Sequence, residues 1–171
     1  ACCAADAKRL LDRGNPCARR YAQWCGGQPL ACGVLVALAP LGYWTDDALS
    51  QPLPLSELAG APLIGLSSAD PLSVRLESYL KAVEPPPRVS IAVQTYSLAR
   101  AMVESGAGLA VIDPFTALGA APGATAIRPL APALPITLYA VTRTAEPSPH
   151  TLSELLTIFS SRARGQLDRW R

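Results

Sequence analysis

The sequence has little of what membrane-spanning or nucleic-acid-binding chains require. No run of roughly 18 apolar residues occurs, so we expect no transmembrane helix. Only 16% of the 171 residues are charged, and the formal net charge is +2. That excess is too small to predict a basic surface for nucleic acid. We therefore expect neither contact with a membrane nor direct binding of DNA by this chain.

Residues that bind metals are also scarce and badly placed. The single histidine, His150, lies far from the five cysteines, which all fall within the first 32 residues. No pair has the C-x-x-C spacing, so no metal site is predicted. No basic segment followed by an apolar one marks a secretory signal, which predicts a cytoplasmic protein with free thiols rather than disulfides. The cysteines are Cys2, Cys3, Cys17, Cys25 and Cys32.

The common catalytic patterns are missing as well. A nucleophile needs a base within hydrogen-bonding reach, and His150 is predicted at the solvated start of the last helix. No serine lies in a G-x-S-x-G turn, and no glycine-rich loop for phosphates or dinucleotides is present. We therefore expect a protein that is not an enzyme and needs no cofactor.

What the sequence does contain is a strand–helix–strand pattern from Val89 to Thr116. Val89, Ile91 and Val93 alternate with small or polar residues, as in a β-strand. After Thr95-Tyr96-Ser97 the apolar residues recur at helical spacing, until Gly106 and Gly108 end the helix. Leu109 to Ile112 is a short apolar run typical of a strand covered on both faces. The pattern predicts a βαβ unit with a right-handed crossover.

A second strand-to-helix turn precedes this unit. The run Pro62 to Leu66 predicts a strand, Ser67-Ser68-Ala69-Asp70 a turn, and Pro71 to about Val83 a helix. In an open parallel sheet this turn and Thr95-Tyr96-Ser97 lie at the same carboxyl edge, where such sheets bind ligands. Free amides at the helix starts suit a carboxylate or another small anion. The alternative is that these side chains only cap helices and pack.

The remaining elements are predicted more briefly. Residues 1–30 carry no strand pattern, although Ala4 to Leu11 suits a short helix. The final helix has an apolar stripe of Leu152, Leu155, Leu156 and Phe159 and should precede a polar tail at 165–171. The other predicted elements are a buried strand at Cys32–Ala39, a helical turn near Leu55–Leu58, an edge strand at Thr125–Leu130, a strand at Pro135–Thr142 and the final helix itself, from Thr151 to about Arg164.

The order of several segments resembles the effector-binding domain of LysR-type transcriptional regulators. The resemblance runs from about Val34 to Arg164 and is carried by V-L-V-A-L-A-P, L-P-L-S-E-L-A-G-A-P-L-I-G-L, S-L-A-R-A-M-V-E-S-G-A-G-L-A-V-I-D-P and I-R-P-L-A-P-A-L-P-I-T-L-Y-A-V-T. It implies an α/β fold like that of type 2 periplasmic binding proteins. In that fold two lobes, joined by crossing strands, bind a small effector between them.

The resemblance also implies how this chain is divided. Residues 34–164 are expected to form the effector-binding domain, with a complete distal lobe at about 62–116 and part of the proximal lobe. Residues 1–33 are expected to be an atypical remnant of that lobe or an unrelated leader. The winged helix-turn-helix through which such regulators bind DNA has no counterpart in this sequence, which suggests an N-terminal truncation.

Site residues and partners follow from the same resemblance. The expected partner is a small-molecule effector, with an amino-acid-like ligand favoured, and the chain should form a homodimer or tetramer, with the helix at Pro71–Val83 contributing to the contact. Asp113 begins a D-P-F-T segment that is similar to the corresponding segment of family members that sense amino acids or opines. Two alternatives remain, a solute-binding protein of a transport system and an interaction remnant without ligand. The expected effector-binding residues are Ser67, Ser68, Asp70, Thr95, Tyr96, Ser97 and Asp113.

Overall fold

The structure, a computed structural model, describes residues 25–67, 71–143 and 150–167. The chain divides into two compact units. Residues 34–135 form one of them, which we call the sheet unit. The described residues up to Gly33 and from Ile136 onward form the other, which we call the terminal unit.

A six-stranded sheet organises the sheet unit, with strand order β3-β7-β2-β6-β4-β5. The helices α1 to α4 and a 3-10 turn at Leu55–Leu58 lie between these strands in the chain. The strands are β2 (Val36–Pro40), β3 (Leu53–Pro54), β4 (Pro62–Leu66), β5 (Arg88–Val93), β6 (Leu109–Ile112) and β7 (Thr125–Ala131), and the helices are α1 (Asp46–Leu49), α2 (Pro71–Leu80), α3 (Tyr96–Glu104) and α4 (Pro114–Leu118).

The sheet is mixed rather than wholly parallel. β4 pairs in parallel with β5 and with β6, whereas β2 runs antiparallel to β6 and β7. The predicted parallel pairing is therefore correct for β4 to β6, and the short β3 also runs parallel to β7, but β2 is antiparallel to both of its neighbours. The edge-strand prediction for Thr125–Leu130 is wrong, because β7 lies between β2 and the two-residue β3. A strand as short as Leu53–Pro54 carries too little pattern to be recognised in the sequence.

The predicted βαβ unit is confirmed. β5 and β6 both pair with β4, so α3 connects two parallel strands that have β4 between them. Glycines end this helix as expected: Gly106 has φ +84 and Gly108 has φ +150, values that residues with a Cβ rarely adopt. The helix α2 ends at Leu80 rather than near Val83, before Glu84 and its following prolines.

The core of the sheet unit lies around β2 and β6. Residues 36–39 are fully buried, and all four residues of β6 are at most 4% exposed. Both strands are continuous apolar runs, as expected for strands with neighbours on both faces. Burying a leucine or isoleucine side chain such as Leu38 or Ile112 contributes about 1.5–3 kcal/mol each. This burial anchors the strands whose ends carry the candidate site.

The strand predicted at Cys32–Ala39 is divided. The structure has β1 at Cys25–Val34 and β2 at Val36–Pro40, and Leu35 between them donates its amide to the carbonyl of Leu134 at 2.9 Å. The expectation that no strand lies before residue 30 is wrong, since β1 begins at Cys25. Three glycines and a proline obscure its alternation, and the strand is defined by its pairing with β8.

In the terminal unit, β1 and β8 (Pro135–Arg143) form a two-stranded sheet, which the helix α5 (His150–Leu167) joins. The hydroxyl of Ser160 donates to the carbonyl of Leu30 at 2.7 Å, and Arg164 Nε donates to the same oxygen at 3.0 Å. The helix continues past the expected end at Arg164, because Leu167 is buried. The helix predicted at Ala4–Leu11 lies outside the described residues.

The free-thiol prediction is wrong for Cys32, which is disulfide-bonded. That prediction came from the lack of a secretory signal, and such an argument concerns the redox compartment alone. Whether two thiols can bond depends on how closely the fold brings their Cβ atoms together.

Within the described ranges, no helix is long and apolar enough to cross a membrane.

Candidate functional site

Three neighbouring strands of the sheet end at the same edge. In the register of β4 and β5, Leu66 lies opposite Val93, so the turns that follow these two strands begin side by side. β6 also runs parallel to β4, which brings the turn beginning at Asp113 to this edge too. Such a carboxyl edge is where open α/β sheets bind ligands.

Ser67 is the first residue after β4. Its amide donates to the carbonyl of Val93 at 2.8 Å, and its hydroxyl donates to the same carbonyl at 3.2 Å. These two bonds tie the end of β4 to the end of β5. The lone pairs of the Ser67 oxygen stay available to a donor on a ligand, because the hydroxyl itself acts as the donor here.

Thr95 is the N-cap residue of α3. Its side-chain oxygen accepts from the amide of Leu98 at 3.2 Å, and its carbonyl accepts from the amide of Ala99 at 3.1 Å. The earlier amides of the first turn, that of Ser97 among them, have no acceptor within the helix. Ser97 is exposed at this helix start. The geometry suits an anion, as the sequence predicts.

Asp113 has a clear structural task. Its carboxylate oxygen accepts from the amide of Thr116 at 2.9 Å and so caps α4, in which Pro114 occupies the first turn. A carboxylate in this position is favoured by the positive end of the helix dipole. Asp113 therefore lies at the expected edge, but one of its oxygens already serves as a cap.

A cavity of about 420 Å³ adjoins this edge. It lies between α2 and the sheet, and both Ser67 and Tyr96 line it. Most of its wall is apolar, with contributions from the strands β4, β5 and β6 and from one face of α2. The structure thus brings two of the predicted site residues to one cavity. Two others, Ser68 and Asp70, lie outside the described residues.

Sequence reasoning missed the most buried charge of the sheet unit, Arg128. Only 2% of this residue is exposed. Its guanidinium donates to the carbonyl of Gln51 at 3.0 Å, to the carbonyl of Pro52 at 3.1 Å and to the carboxylate of Glu57 at 2.9 Å. Its Cζ lies 5.3 Å from the ring centroid of Trp44. These contacts hold the segment between β2 and β4 against β7.

The alternation of β7 contained the signal for Arg128. Ala126, Arg128 and Leu130 are buried, while the residues between them are only partly so. A charged residue in phase with two apolar ones predicts a buried, paired guanidinium.

No group of three metal-ligating side chains occurs in the described part of the chain.

Comparison with protein families decides the identity of the domain. The family model described as the LysR substrate binding domain matches residues 20–164. The chain belongs to this family. The type 2 periplasmic-binding-protein-like fold of LysR regulatory domains, predicted from the sequence, is thereby confirmed, and solved structures of that family superpose on this LysR substrate-binding domain.

Two of these structures are regulatory domains. The CcmR regulatory domain of Synechocystis PCC6803, in complex with 2-PG, superposes with a TM-score of 0.61 at 13% identity, covering 81% of this chain and 67% of that one. The reduced OxyR regulatory domain of Pseudomonas aeruginosa gives a TM-score of 0.58 at 25% identity, covering 81% and 65%.

Longer relatives share the fold as well. HinK, a LysR family transcriptional regulator of Pseudomonas aeruginosa, has a TM-score of 0.59 at 17% identity, covering 84% of this chain and 50% of that one. This LysR substrate-binding domain thus spans about two thirds of the regulatory domains it matches and half of HinK. None of the curated proteins matches the sequence significantly.

Proposed function

We propose that this domain senses a small metabolite in the cytoplasm and controls a helix-turn-helix through which a LysR-type regulator binds DNA. The observation that carries the proposal is the shared edge of β4, β5 and β6, where the turns at Ser67, Thr95 and Asp113 follow adjacent parallel strands. Membership of the LysR substrate-binding family supports it, as does the CcmR relative in complex with 2-PG. Neither observation favours transport or catalysis.

The proposed effector-binding residues are those expected from the sequence: Ser67, Ser68, Asp70, Thr95, Tyr96, Ser97 and Asp113. The start of α3 would bind a carboxylate, because Ser97 and its neighbours offer amides without an intrahelical acceptor. Asp70 would attract an ammonium group and repel a second carboxylate. An amino-acid-like effector satisfies both conditions. Charge-assisted hydrogen bonds of this kind contribute about 1.5–3 kcal/mol each.

The first experiment is a thermal-shift panel of amino acids and small organic acids, followed by calorimetry on each compound that raises the melting temperature. Thr95→Val removes the side-chain oxygen at the start of α3. We expect it to weaken binding by about tenfold, equivalent to about 1.4 kcal/mol. Thr95→Ser keeps the oxygen and should bind nearly as the wild type does.

Thr45→Val is the matched control for the loss of a cap. Thr45 is the N-cap residue of α1 and accepts from the amide of Ala48 at 3.4 Å, so it performs the same local task as Thr95. It follows β2, which runs antiparallel to β6, and therefore lies at the opposite edge of the sheet. If the two valine variants bind the effector equally well, the strand-end site is wrong.

Self-association and DNA binding belong to the same proposal. We expect sedimentation to give a homodimer or tetramer, with α2 contributing to the contact, and a clean monomer at high concentration would contradict this. Fluorescence anisotropy with duplex DNA at physiological salt should show no sequence-selective, sub-micromolar binding by this chain. Such binding would mean that this domain can bind DNA without a separate helix-turn-helix.

A further inference from the structure

The cavity beside α2 differs from the strand ends in its chemistry. Among its described lining residues, Glu77 is the one charged side chain, and neither arginine, lysine nor histidine contributes. Glu77 is itself largely exposed and pairs with Lys81 at 2.8 Å. A buried anion without a cationic partner is strongly disfavoured, so this wall suits an uncharged occupant.

The cavity exists because α2 does not pack closely on the sheet. None of its described side chains is buried, and Leu72, Leu76 and Leu80, which follow one another at helical spacing, are only partly covered. On the sheet, Val89 is 61% exposed although it is a large apolar residue facing this cavity. Apolar surface left open to water in this way gains free energy when another apolar group covers it.

Gly65, which has no side chain, leaves space on the sheet below α2. A Cβ on Gly65 would come within 3.1 Å of both Cγ atoms of Val89. A larger residue at position 65 would therefore push Val89 aside and fill part of the space. With glycine there, the floor of the cavity is formed by backbone and by apolar side chains of three strands. The floor and wall include Leu63, Ile64, Leu66, Val89 and Val111.

We propose that this cavity binds the uncharged, apolar part of a small organic molecule, such as an aromatic ring or a branched aliphatic group. Its volume of about 420 Å³ falls within the ordinary range of ligand sites, about 300–1,000 Å³. Ser67 and Tyr96 add polar atoms at one end, which would orient a hydroxyl or amide of the ligand. The site shares Ser67 and Tyr96 with the proposed effector site but goes beyond it, because it requires no carboxylate and no amide at the start of α3.

The test uses indole as a neutral probe and benzoate as a charged one, titrated into the full 171-residue chain and followed by calorimetry. Indole should bind with a Kd on the order of 0.1 mM, and benzoate at least about tenfold more weakly at this site. Methyl resonances of Val74, Leu76 and Val89 should shift with indole. Those of Leu41 and Val141, which do not line the cavity, should stay in place.

Two serines of α2 provide matched variants. Ser73 lines the cavity, whereas Ser78 is exposed and donates its hydroxyl to the carbonyl of Arg75 at 2.7 Å. Ser73→Phe should fill the space and weaken indole binding by about tenfold or more. Ser78→Phe, the same chemical change elsewhere on the helix, should leave binding within about twofold.

The outcomes separate this site from the strand-end site. Indole binding that is lost in Ser73→Phe but kept in Thr95→Val supports the cavity, whatever happens to the effector. The inference is overturned if indole causes no methyl shifts, if both phenylalanine variants bind it equally, or if benzoate competes with it at equal affinity. The methyl shifts decide the matter on the wild-type chain even if Ser73→Phe does not fold.

Discussion

The two sides of the sheet unit are packed very differently. On one side, which we call the packed side, β2 lies between β6 and β7, and α3 packs against β2 and β6 with Ala99 and Val103 completely buried. On the other side, which we call the open side, the strand β5 is largely exposed, and none of the described side chains of α2 is buried. Small inward residues let α3 approach the sheet closely, whereas the larger side chains of α2 leave a cavity.

The edge of the open side is protected by an irregularity. β5 pairs only with β4 within the described sheet, and the register shifts so that Ser90 has no opposite residue. The hydroxyl of Ser90 donates to the carbonyl of Leu63 at 3.2 Å instead. Bulges at edge strands hinder pairing with another chain. Binding sites are often built from such loosely packed regions beside a rigid one, because they can adjust around a ligand.

The largest expected effect is on the packed side, at Arg128. Arg128→Met should lower the free energy of unfolding by about 3 kcal/mol, because the carbonyls of Gln51 and Pro52 lose their donor and Glu57 loses its partner. Urea denaturation with an unchanged m-value measures this loss.

Arg100→Met is the control for Arg128→Met. The side chain of Arg100 is 26% exposed and pairs with Glu104 at 3.3 Å on the same helix. Its removal should cost about 1 kcal/mol or less. Equal losses in the two methionine variants would mean that the Arg128 cluster contributes no more than the partly buried pair of Arg100 and Glu104.

The second prediction compares the two helices directly. Val103 on α3 is fully buried, while Val74 on α2 is 54% exposed. Val103→Ala should cost about 2 kcal/mol through lost burial and the space left behind. Val74→Ala should cost under about 0.5 kcal/mol. Similar losses in urea denaturation would show that α2 is packed as closely as α3.

The third prediction concerns the cap of α3. Thr95→Ala should lower stability by about 1 kcal/mol, because the amide of Leu98 loses its acceptor. Ser97→Ala, two residues further along the chain and exposed, should change stability by under about 0.5 kcal/mol. Thermal unfolding monitored by circular dichroism distinguishes the two, and an equal loss would contradict the cap assignment.

The smallest effect is expected on the exposed face of α2. Lys81 and Glu77 are 72% and 61% exposed in their side chains, so water and salt screen their attraction. Lys81→Met should change the free energy of unfolding by under about 0.5 kcal/mol, with little dependence on salt. A loss of more than 1 kcal/mol, on the scale of the cap, would show that this pair fixes α2 in place.

Local patterns in the sequence were enough for some features of this protein. Alternation and glycine placement determined β4, β5, α3 and β6, because each is specified by residues close in the chain. The same patterns identified Ser67 and Thr95 as residues following parallel strands. The order of these segments also identified the LysR family. The domain boundaries and the seven effector-binding residues remain predictions.

Contacts between distant residues decided the rest. Strand β1 depends on its pairing with β8, and β7 became an inner strand because the two-residue β3 lies beside it. The disulfide at Cys32 and the four partners of Arg128 likewise require residues that only folding brings together. The cavity under α2 was equally invisible in the sequence. Periodicity tells which face of a helix is apolar, but how closely that face approaches the sheet is set by the side chains it meets there.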